Sequence, residues 1–169
     1  VATVSTGGLV TAVGNGTATI TATSGSANGS ASVTIGQVAS SVTLSRTNLS
    51  FGSLADTTTL TATVKDVNGS TISGATITWS ASDTDIATVS AAGLVTAVGN
   101  GTGMITATSG SSSATASVTI AQVASSVTLS PDSLSFASLA DTATLTATVK
   151  DANDSTIASP TVTWLSTNT

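Results

Sequence analysis

The chain has 169 residues, with eight acidic and three basic side chains and a formal net charge of −5. All eight acids are Asp, and His, Cys, Glu and Tyr are absent. Most general acids and bases, thiol nucleophiles and transition-metal ligands are therefore missing, so the sequence predicts no enzyme and no cofactor. Three basic residues cannot neutralise a nucleic-acid backbone, so nucleic acid is not an expected partner. No apolar stretch is long enough to cross a membrane, so membrane insertion of this segment is not expected either.

The residue pattern predicts an all-β protein. Thr and Ser occupy 36 and 29 positions, strong helix formers are scarce, and apolar residues alternate with Thr in short runs bounded by turn residues. No window has the period of an amphipathic helix. In chain order, the clearest predicted strands are Thr57–Asp66, Ala75–Ala81, Ile86–Ser90, Leu94–Val98, Thr102–Thr108 and Ala116–Ile120.

The chain contains an internal repeat with an offset of 85 residues. Ala2–Ser5 recurs at Ala87–Ser90, and Val38–Ser45 recurs at Val123–Ser130. When residues 1–84 are paired with 86–169, 59 of the 84 pairs are identical, which indicates a recent tandem duplication. A unit of this length suits a small β-sandwich domain.

The strand pattern predicts one complete domain between two complementary halves. Residues 38–120 form the complete repeat, residues 1–37 hold the late strands of a preceding repeat, and residues 121–169 hold the early strands of a following one. The chain is then expected to be a window on a longer polymer of repeats, or a subunit completed by its neighbour. In either case the halves are completed end to end, because half a sandwich exposes its core and its strand edges.

The repeat resembles the bacterial Ig-like domain, group 2, the module of intimin and invasin stalks. The residues that carry the resemblance are Trp79, Ile86–Ser90, Gly93–Val98, Gly101-Thr102 and Ile105–Thr108. The resemblance covers essentially the whole chain, with Gly103-Met104 departing from Ala18-Thr19 of the other copy. It implies tandem antiparallel Ig-like β-sandwiches without disulfides, in proteins of the bacterial cell surface, and no catalytic residues.

The alternation of the strands predicts one apolar core per repeat. Its predicted members are Phe51, Leu60, Val64, Ile77, Trp79, Val89, Leu94, Ile105 and Val118, with Phe136 and Trp164 as counterparts in the following repeat.

Three pairs of polar residues are weak candidates for a Ca²⁺ site. Asp66 and Asn68, and their counterparts Asp151 and Asn153, present alternating oxygen ligands, which suit a hard cation. Asp83 and Asp85 form a further pair. No Glu closes such a loop, and a hairpin turn in which Asp and Asn bond their own backbone explains the same residues.

Two surface features have both a functional and an ordinary explanation. Asn-x-Ser/Thr sequons at six positions could be glycosylated, although several would arise by chance in this composition: Asn15, Asn28, Asn48, Asn68, Asn100 and Asn153. Thr17, Thr19, Thr21 and Thr23 form an outward row that could bind an ordered surface such as ice, although Thr is also a common residue on a solvated strand.

These observations predict a structural module of a long extracellular bacterial fibre, stalk or adhesin. Its expected partners are neighbouring copies of the repeat, head to tail along the fibre, and side-by-side copies, because weak charge permits bundling. The alternatives are an Ig-like module that binds host protein or carbohydrate, an adhesin segment stiffened by calcium, and an accessory domain of a phage or secreted enzyme.

Overall fold

The computed structural model describes residues 1–167, and those residues contain strands and loops but no helix, which confirms the all-β prediction. Accordingly, no described helix could cross a membrane. The strands in chain order are β1 (Ala2–Val4), β2 (Val10–Ala12), β3 (Gly16–Ser24), β4 (Ala27–Ile35), β5 (Ser41–Leu44), β6 (Asn48–Phe51), β7 (Thr57–Thr59), β8 (Ala62–Lys65), β9 (Thr78–Ala81), β10 (Ala87–Val89), β11 (Leu94–Ala97), β12 (Gly101–Ser109), β13 (Ser112–Ile120), β14 (Ser126–Ser130) and β15 (Thr146–Lys150).

Residues 38–120, the central repeat, form a β-sandwich. One layer is a four-stranded sheet of order β6-β13-β12-β9, and the other consists of the sheet β10-β11-β7 and the pair β5-β8. Neighbouring strands are antiparallel, as predicted, except that β6 runs parallel to β13 with Val118 opposite Leu49. The parallel pair arises because the short connection from β5 to β6 carries the chain from one layer to the other, so β6 meets the last strand of the repeat.

The flanking segments each contain only part of this arrangement. In residues 1–37, the N-terminal half-repeat, β1 pairs with β2 and β3 pairs with β4, in two antiparallel hairpins. In residues 121–167, the C-terminal half-repeat, the single strand pair is β14 with β15. These pairs form without the rest of a sandwich because both of their strands lie in the same half.

The apolar core lies between the two layers of the central repeat. Phe51, Leu60, Val64, Ile105 and Val118 are buried, as the alternation of the strands predicts. Three further predicted members are half-buried and pack against the same core: Ile77, Trp79 and Val89. Trp79 contacts both clusters of core residues, so it joins the part of the core near β11 to the part near β5 and β8.

The predicted strand Thr57–Asp66 is divided in the structure. β7 pairs with β11 in one sheet, whereas β8 pairs with β5 in another. Leu60 lies at the division and is fully buried, so its side chain fills the core where the backbone leaves one sheet for the next.

Leu94 is not a core residue, and its prediction was wrong. Its side chain is 41% exposed, whereas that of Val95 is 0% exposed. Gly93, just before the strand, lies in a turn with φ of 80°, and its N–H donates to the Ser90 carbonyl. The alternation therefore begins one residue later than predicted, and a shift of one residue exchanges the two faces of a strand.

Phe136 and Trp164, predicted as core residues of the following repeat, are 50% and 55% exposed in residues 121–167, which hold only part of that repeat. Their counterparts Phe51 and Trp79 lie on β6 and β9, which are covered through their pairing with β13 and β12. Residues 121–167 contain no counterpart of β12 or β13, so nothing in this half-repeat covers the two aromatic rings.

Candidate functional site

The two junctions between repeats contain the same hydrogen bonds, 85 residues apart. The Asn15 side chain accepts from the Gln37 N–H at 2.7 Å and donates to the Gln37 side chain at 3.2 Å. Asn100 and Gln122 form the same pair, with both distances 2.8 Å. The turn before β3 or β12 thus holds the connection that leaves the repeat.

The same glutamines, which lie in the connections between repeats, also bond an aspartate of the following repeat. Gln37 Nε2 donates to Asp66 Oδ2 at 2.8 Å, and Gln122 Nε2 donates to Asp151 Oδ2 at 2.9 Å. An amide both accepts and donates, so one side chain can contact the asparagine behind it and the aspartate ahead of it. A glutamate here would have no donor for the aspartate.

Each aspartate also organises the hairpin loop that contains it. Asp151 Oδ1 accepts from the N–H groups of Asn153 and Ser155 at 2.9 and 3.0 Å. Asp66 Oδ1 accepts from Asn68 and Ser70 in the same way, at 3.0 and 2.9 Å. These are the local turn bonds that the alternative to a calcium site describes.

The junction after the central repeat has three further hydrogen bonds. The Leu54 N–H donates to Asp151 Oδ2 at 2.9 Å. Asn153 Nδ2 donates to the Leu54 carbonyl at 2.7 Å and to Asp56 Oδ1 at 2.9 Å. We call Leu54, Asp56, Asn100, Gln122, Asp151 and Asn153 the junction cluster. Asp151 is 2% exposed, and the described residues contain no buried side-chain polar atom without a partner.

Both aspartates are held in the charged form by their hydrogen bonds. The Gln37 side chain and then the Ser70 N–H lower the pKa of Asp66 below its ordinary value. Burial raises the pKa of Asp151, but the hydrogen bonds from Gln122, Leu54, Ser155 and Asn153 outweigh it, so its pKa is lowered. Removing these donors would leave a buried carboxylate without compensation.

The residues considered as calcium ligands form hydrogen bonds within the protein. Asp151 accepts four N–H groups, which would have to move before a cation could bind. Asp83 accepts from the Asp85 N–H at 2.9 Å, as in an ordinary turn. Within residues 1–167, no three Asp, Glu, His or Cys side chains are grouped so that they could hold a metal ion. Calcium binding stays a prediction.

The six sequons differ in what their side chains contact. The amide nitrogens of Asn15, Asn100 and Asn153 donate within the junctions. Asn48 Oδ1 accepts from Ser117 Oγ at 2.6 Å. All six asparagines are exposed, but the side chains of Asn28 and Asn68 make no such contact in the described structure, so glycosylation is easiest to accommodate at these two.

The threonine row of β3 is exposed, and β4 adds a hydroxyl or amide side chain beside each member, with Thr17 opposite Thr34 and Thr23 opposite Asn28. In the central repeat Met104 interrupts the equivalent row, and β9 pairs with β12 beside Thr106 and Thr108. The row is therefore not a repeated feature.

Sequence reasoning missed Gln37, Gln122, Leu54 and Asp56. The glutamines carry a signal that could have found them, because they are the chain's two glutamines and they lie 85 residues apart. Leu54 acts through its backbone, which no residue pattern reveals.

Comparison with known proteins identifies a family and several similar proteins. The family model described as "Bacterial Ig-like domain (group 2)" matches residues 38–120. Ice-binding protein 1 of Shewanella frigidimarina (strain NCIMB 400) is 38% identical over 122 residues, which are 71% of this chain and 14% of that protein.

Solved structures with a similar fold come from multi-domain proteins. Domains 1–6 of the surface layer protein SbsC match 92% of this chain and 22% of that one, with 22% identity and a TM-score of 0.49. The Yersinia pseudotuberculosis adhesin InvE matches 54% of this chain and 29% of its own, with 19% identity and a TM-score of 0.36. At these TM-scores neither likeness carries an argument about function, and this chain spans less than a third of each protein named.

Proposed function

The central repeat makes this chain a member of the bacterial Ig-like domain (group 2) family, and from that membership we propose that the chain is a structural segment of a long extracellular bacterial fibre, stalk or adhesin. Its repeats, residues 38–120 and the halves on either side, are joined head to tail and act as a spacer. The observation that carries the proposal is the junction cluster, because it joins consecutive repeats through side chains that recur with the repeat.

The junction cluster opposes bending between repeats. Three hydrogen bonds of the cluster cross from Leu54 and Asp56 to the C-terminal half-repeat, and one of them reaches the Asp151 carboxylate. Gln122, in the connection, bonds both Asn100 of the central repeat and Asp151. A hydrogen bond to a charged group contributes about 1.5–3 kcal/mol net, more than a neutral one. The connecting backbone is also held, because the N–H of Val123 donates to the Gly52 carbonyl and that of Ser125 to the Lys150 carbonyl. A spacer needs this resistance, since length is projected only if successive repeats keep one direction.

The alternatives have less support. A binding module would present exposed aromatic or basic groups, whereas Phe51 is buried in the central repeat and Trp79 packs against its core. Ice binding is a property named for the Shewanella relative, and the interruption by Met104 argues against transferring it to repeated threonine rows. A calcium-stiffened segment would place a cation where Asp151 now accepts N–H groups.

Hydrogen exchange at two neighbouring amides tests the proposal. The Leu54 N–H donates across the junction to Asp151, whereas the Ala55 N–H donates to Ala97 within the central repeat. Asp151→Asn places an NH₂ group where the carboxylate oxygen now accepts from Leu54 and Gln122. We therefore expect faster exchange of the Leu54 amide and unchanged exchange of the Ala55 amide. The same substitution at the other junction, Asp66→Asn, is the matched control and should leave Leu54 unchanged.

X-ray scattering of the same proteins measures the mechanical consequence. We expect Asp151→Asn to broaden the distribution of interatomic distances, and EDTA or added calcium to change neither readout. Equal Leu54 and Ala55 exchange rates in the variant, with unchanged scattering, would overturn the rigid-spacer proposal. A calcium-dependent change in Leu54 protection would favour the metal-stiffened alternative instead.

A further inference from the structure

The strands that open the central repeat, β5 and β6, run beside the strand that closes it, β13, and in the same direction. Just before β5, the Ala39 carbonyl accepts from the hydroxyl of Ser112, the first residue of β13, at 3.5 Å. Just after β6, the Gly52 carbonyl accepts from the Val123 N–H at 2.8 Å. The chain that enters the repeat is therefore in contact with the chain that leaves it along the whole of β13.

Backbone hydrogen bonds join the two segments beyond the parallel pair itself. The Ser117 N–H donates to the Thr47 carbonyl at 2.8 Å, before β6 begins. The Ala121 N–H donates to the Phe51 carbonyl at 3.1 Å, after β13 ends. With the register of β6 and β13 between them, these bonds form one continuous row.

We call residues 47–52 and 117–123 the terminal clamp. On its outer face, the Ser117 hydroxyl donates to Asn48 Oδ1 at 2.6 Å. On its inner face, four apolar side chains are buried in the core: Leu49, Phe51, Val118 and Ile120. Water is thereby excluded from the inner side of the clamp, and hydrogen bonds are stronger where water is excluded.

The parallel direction decides how the clamp responds to tension along a row of repeats. Such tension enters at the connection before β5 and leaves at the connection after β13. It pulls β6 toward the preceding repeat and β13 toward the following one, so the two strands are forced to slide along each other. The hydrogen bonds of a parallel pair are evenly spaced, so they carry this load together.

We propose that the terminal clamp is the element of the repeat that resists unfolding under tension. The inference rests on the proposed function, because a stalk or adhesin transmits force through its repeats. Load passes directly from the entering strand to the leaving strand, and the other strands of the sandwich are bypassed. Forced unfolding is governed by the unfolding rate, so the clamp acts on that rate.

Force spectroscopy in two directions tests the proposal. The chain has no cysteine, so handles can be attached to engineered ones at exposed positions. Handles at Val38→Cys and Ala124→Cys pull along the clamp. Handles at Val38→Cys and Ser111→Cys pull from one pole, because Ser112 lies beside Ala39, and they break the bonds one after another. We expect a higher unfolding force along the clamp at the same loading rate.

A matched pair of substitutions locates the resistance in the clamp. Ser117→Ala removes the side-chain bond to Asn48, whereas Ser113→Ala changes a serine on the same face of β13, opposite Thr108 of β12. Both serines are exposed, so both variants should fold. Along the clamp, we expect Ser117→Ala to raise the unfolding rate at constant force roughly threefold to tenfold, the effect of one lost hydrogen bond. Ser113→Ala should leave this rate unchanged.

Either of two results would overturn the inference. One is an equal unfolding force in the two pulling directions, and the other is an equal effect of the two serine substitutions. Neither result would alter Leu54 amide exchange, which reports on the junction and tests the spacer. Failure of the clamp is therefore distinguishable from failure of the proposed function.

Discussion

Gln37 and Gln122 are the residues whose chemistry is least replaceable at the junctions. Each accepts from the asparagine of one repeat and donates to the aspartate of the next, so neither Glu nor Lys could make both bonds. The aspartates are equally specific, because both carboxylate oxygens of Asp151 accept N–H groups. One glutamine and one aspartate therefore hold each junction, and neither can be replaced without losing a hydrogen bond.

Ala55 shows a different constraint at a single position. Its φ is 63°, in the left-handed region that favours glycine, and its side chain is exposed. Its N–H donates to the Ala97 carbonyl at 2.9 Å, which holds the backbone in this conformation. The conformation thus follows from the connection between β6 and β7 rather than from the preference of alanine.

We expect Ala55→Gly to stabilise the central repeat by about 0.5–1 kcal/mol, because glycine adopts this backbone conformation without the cost that a Cβ carries. Calorimetric unfolding measures the change. Ala92→Gly is the control, because Ala92 is exposed but does not have positive φ, and this change should lower stability. Destabilisation by both substitutions would contradict the prediction.

Among the strands, β11 shows how a turn sets which residues face the core. Sequence alternation placed Leu94 inside, whereas the structure buries Val95 and Ala97. β11 lies between β10 and β7, so its position is fixed by hydrogen bonds on both edges. The side chain that fits the space between the layers is then the smaller valine.

Truncating the predicted and the observed core residue, one at a time, tests which of them faces the core. We expect Val95→Ala to destabilise the central repeat by about 2 kcal/mol, since a buried side chain is truncated. Leu94→Ala removes a larger but exposed side chain and should cost about 0.5 kcal/mol or less. Denaturant unfolding measures the loss of stability in each variant. A larger loss for Leu94→Ala would show that Leu94, and not Val95, faces the core.

Strand formation in this chain depends on the neighbouring strand as well as on composition. Residues 48–51 and 133–136 both read x-Leu-Ser-Phe, yet the first is β6 and the second is not a strand. The difference is β13, whose edge β6 joins and whose counterpart is absent from residues 121–167. Local propensity is therefore sufficient for the hairpins but not for strands that pair across the repeat.

In the whole molecule, repetition multiplies the effect of each junction. The bonds at Asn15, Gln37 and Asp66 recur at Asn100, Gln122 and Asp151, so the same contact acts at both repeat boundaries that the structure describes. The junction aspartates also couple this arrangement to pH, since each must be charged to accept all of its donors.

Acid should loosen the junctions within a defined range. The folded-state pKa of Asp66 and Asp151 is lowered from 3.8, so their contribution is fully present above that value and is lost as pH falls through the lower, folded pKa. We expect scattering profiles to stay constant from about pH 7 to about pH 5 and to broaden only below the ordinary value.

Asp151→Asn provides the comparison for this effect, because it has no charge to lose at the second junction. Its scattering should be broad already at neutral pH and should change less on acidification. Parallel changes in the wild type and the variant would show that acid acts elsewhere in the molecule.

The sequence by itself determined the repeat, the all-β class and most core residues of the complete sandwich, including Leu60, Ile105 and Val118. Those features depend on alternation and turn residues within a few positions, and that information is local. The sequence also predicted, as the alternative to calcium binding, that Asp66 and Asp151 accept hydrogen bonds from the backbone of their own turns.

Only the tertiary structure decided which residues join the repeats. Gln122 reaches Asp151 across 29 positions, and the Leu54 N–H reaches it across 97. It likewise decided that Phe136 and Trp164 are exposed while Phe51 is buried, because burial depends on strands that lie far along the chain. Contacts of this kind arise from how folded layers meet, and no local pattern of residues specifies that geometry.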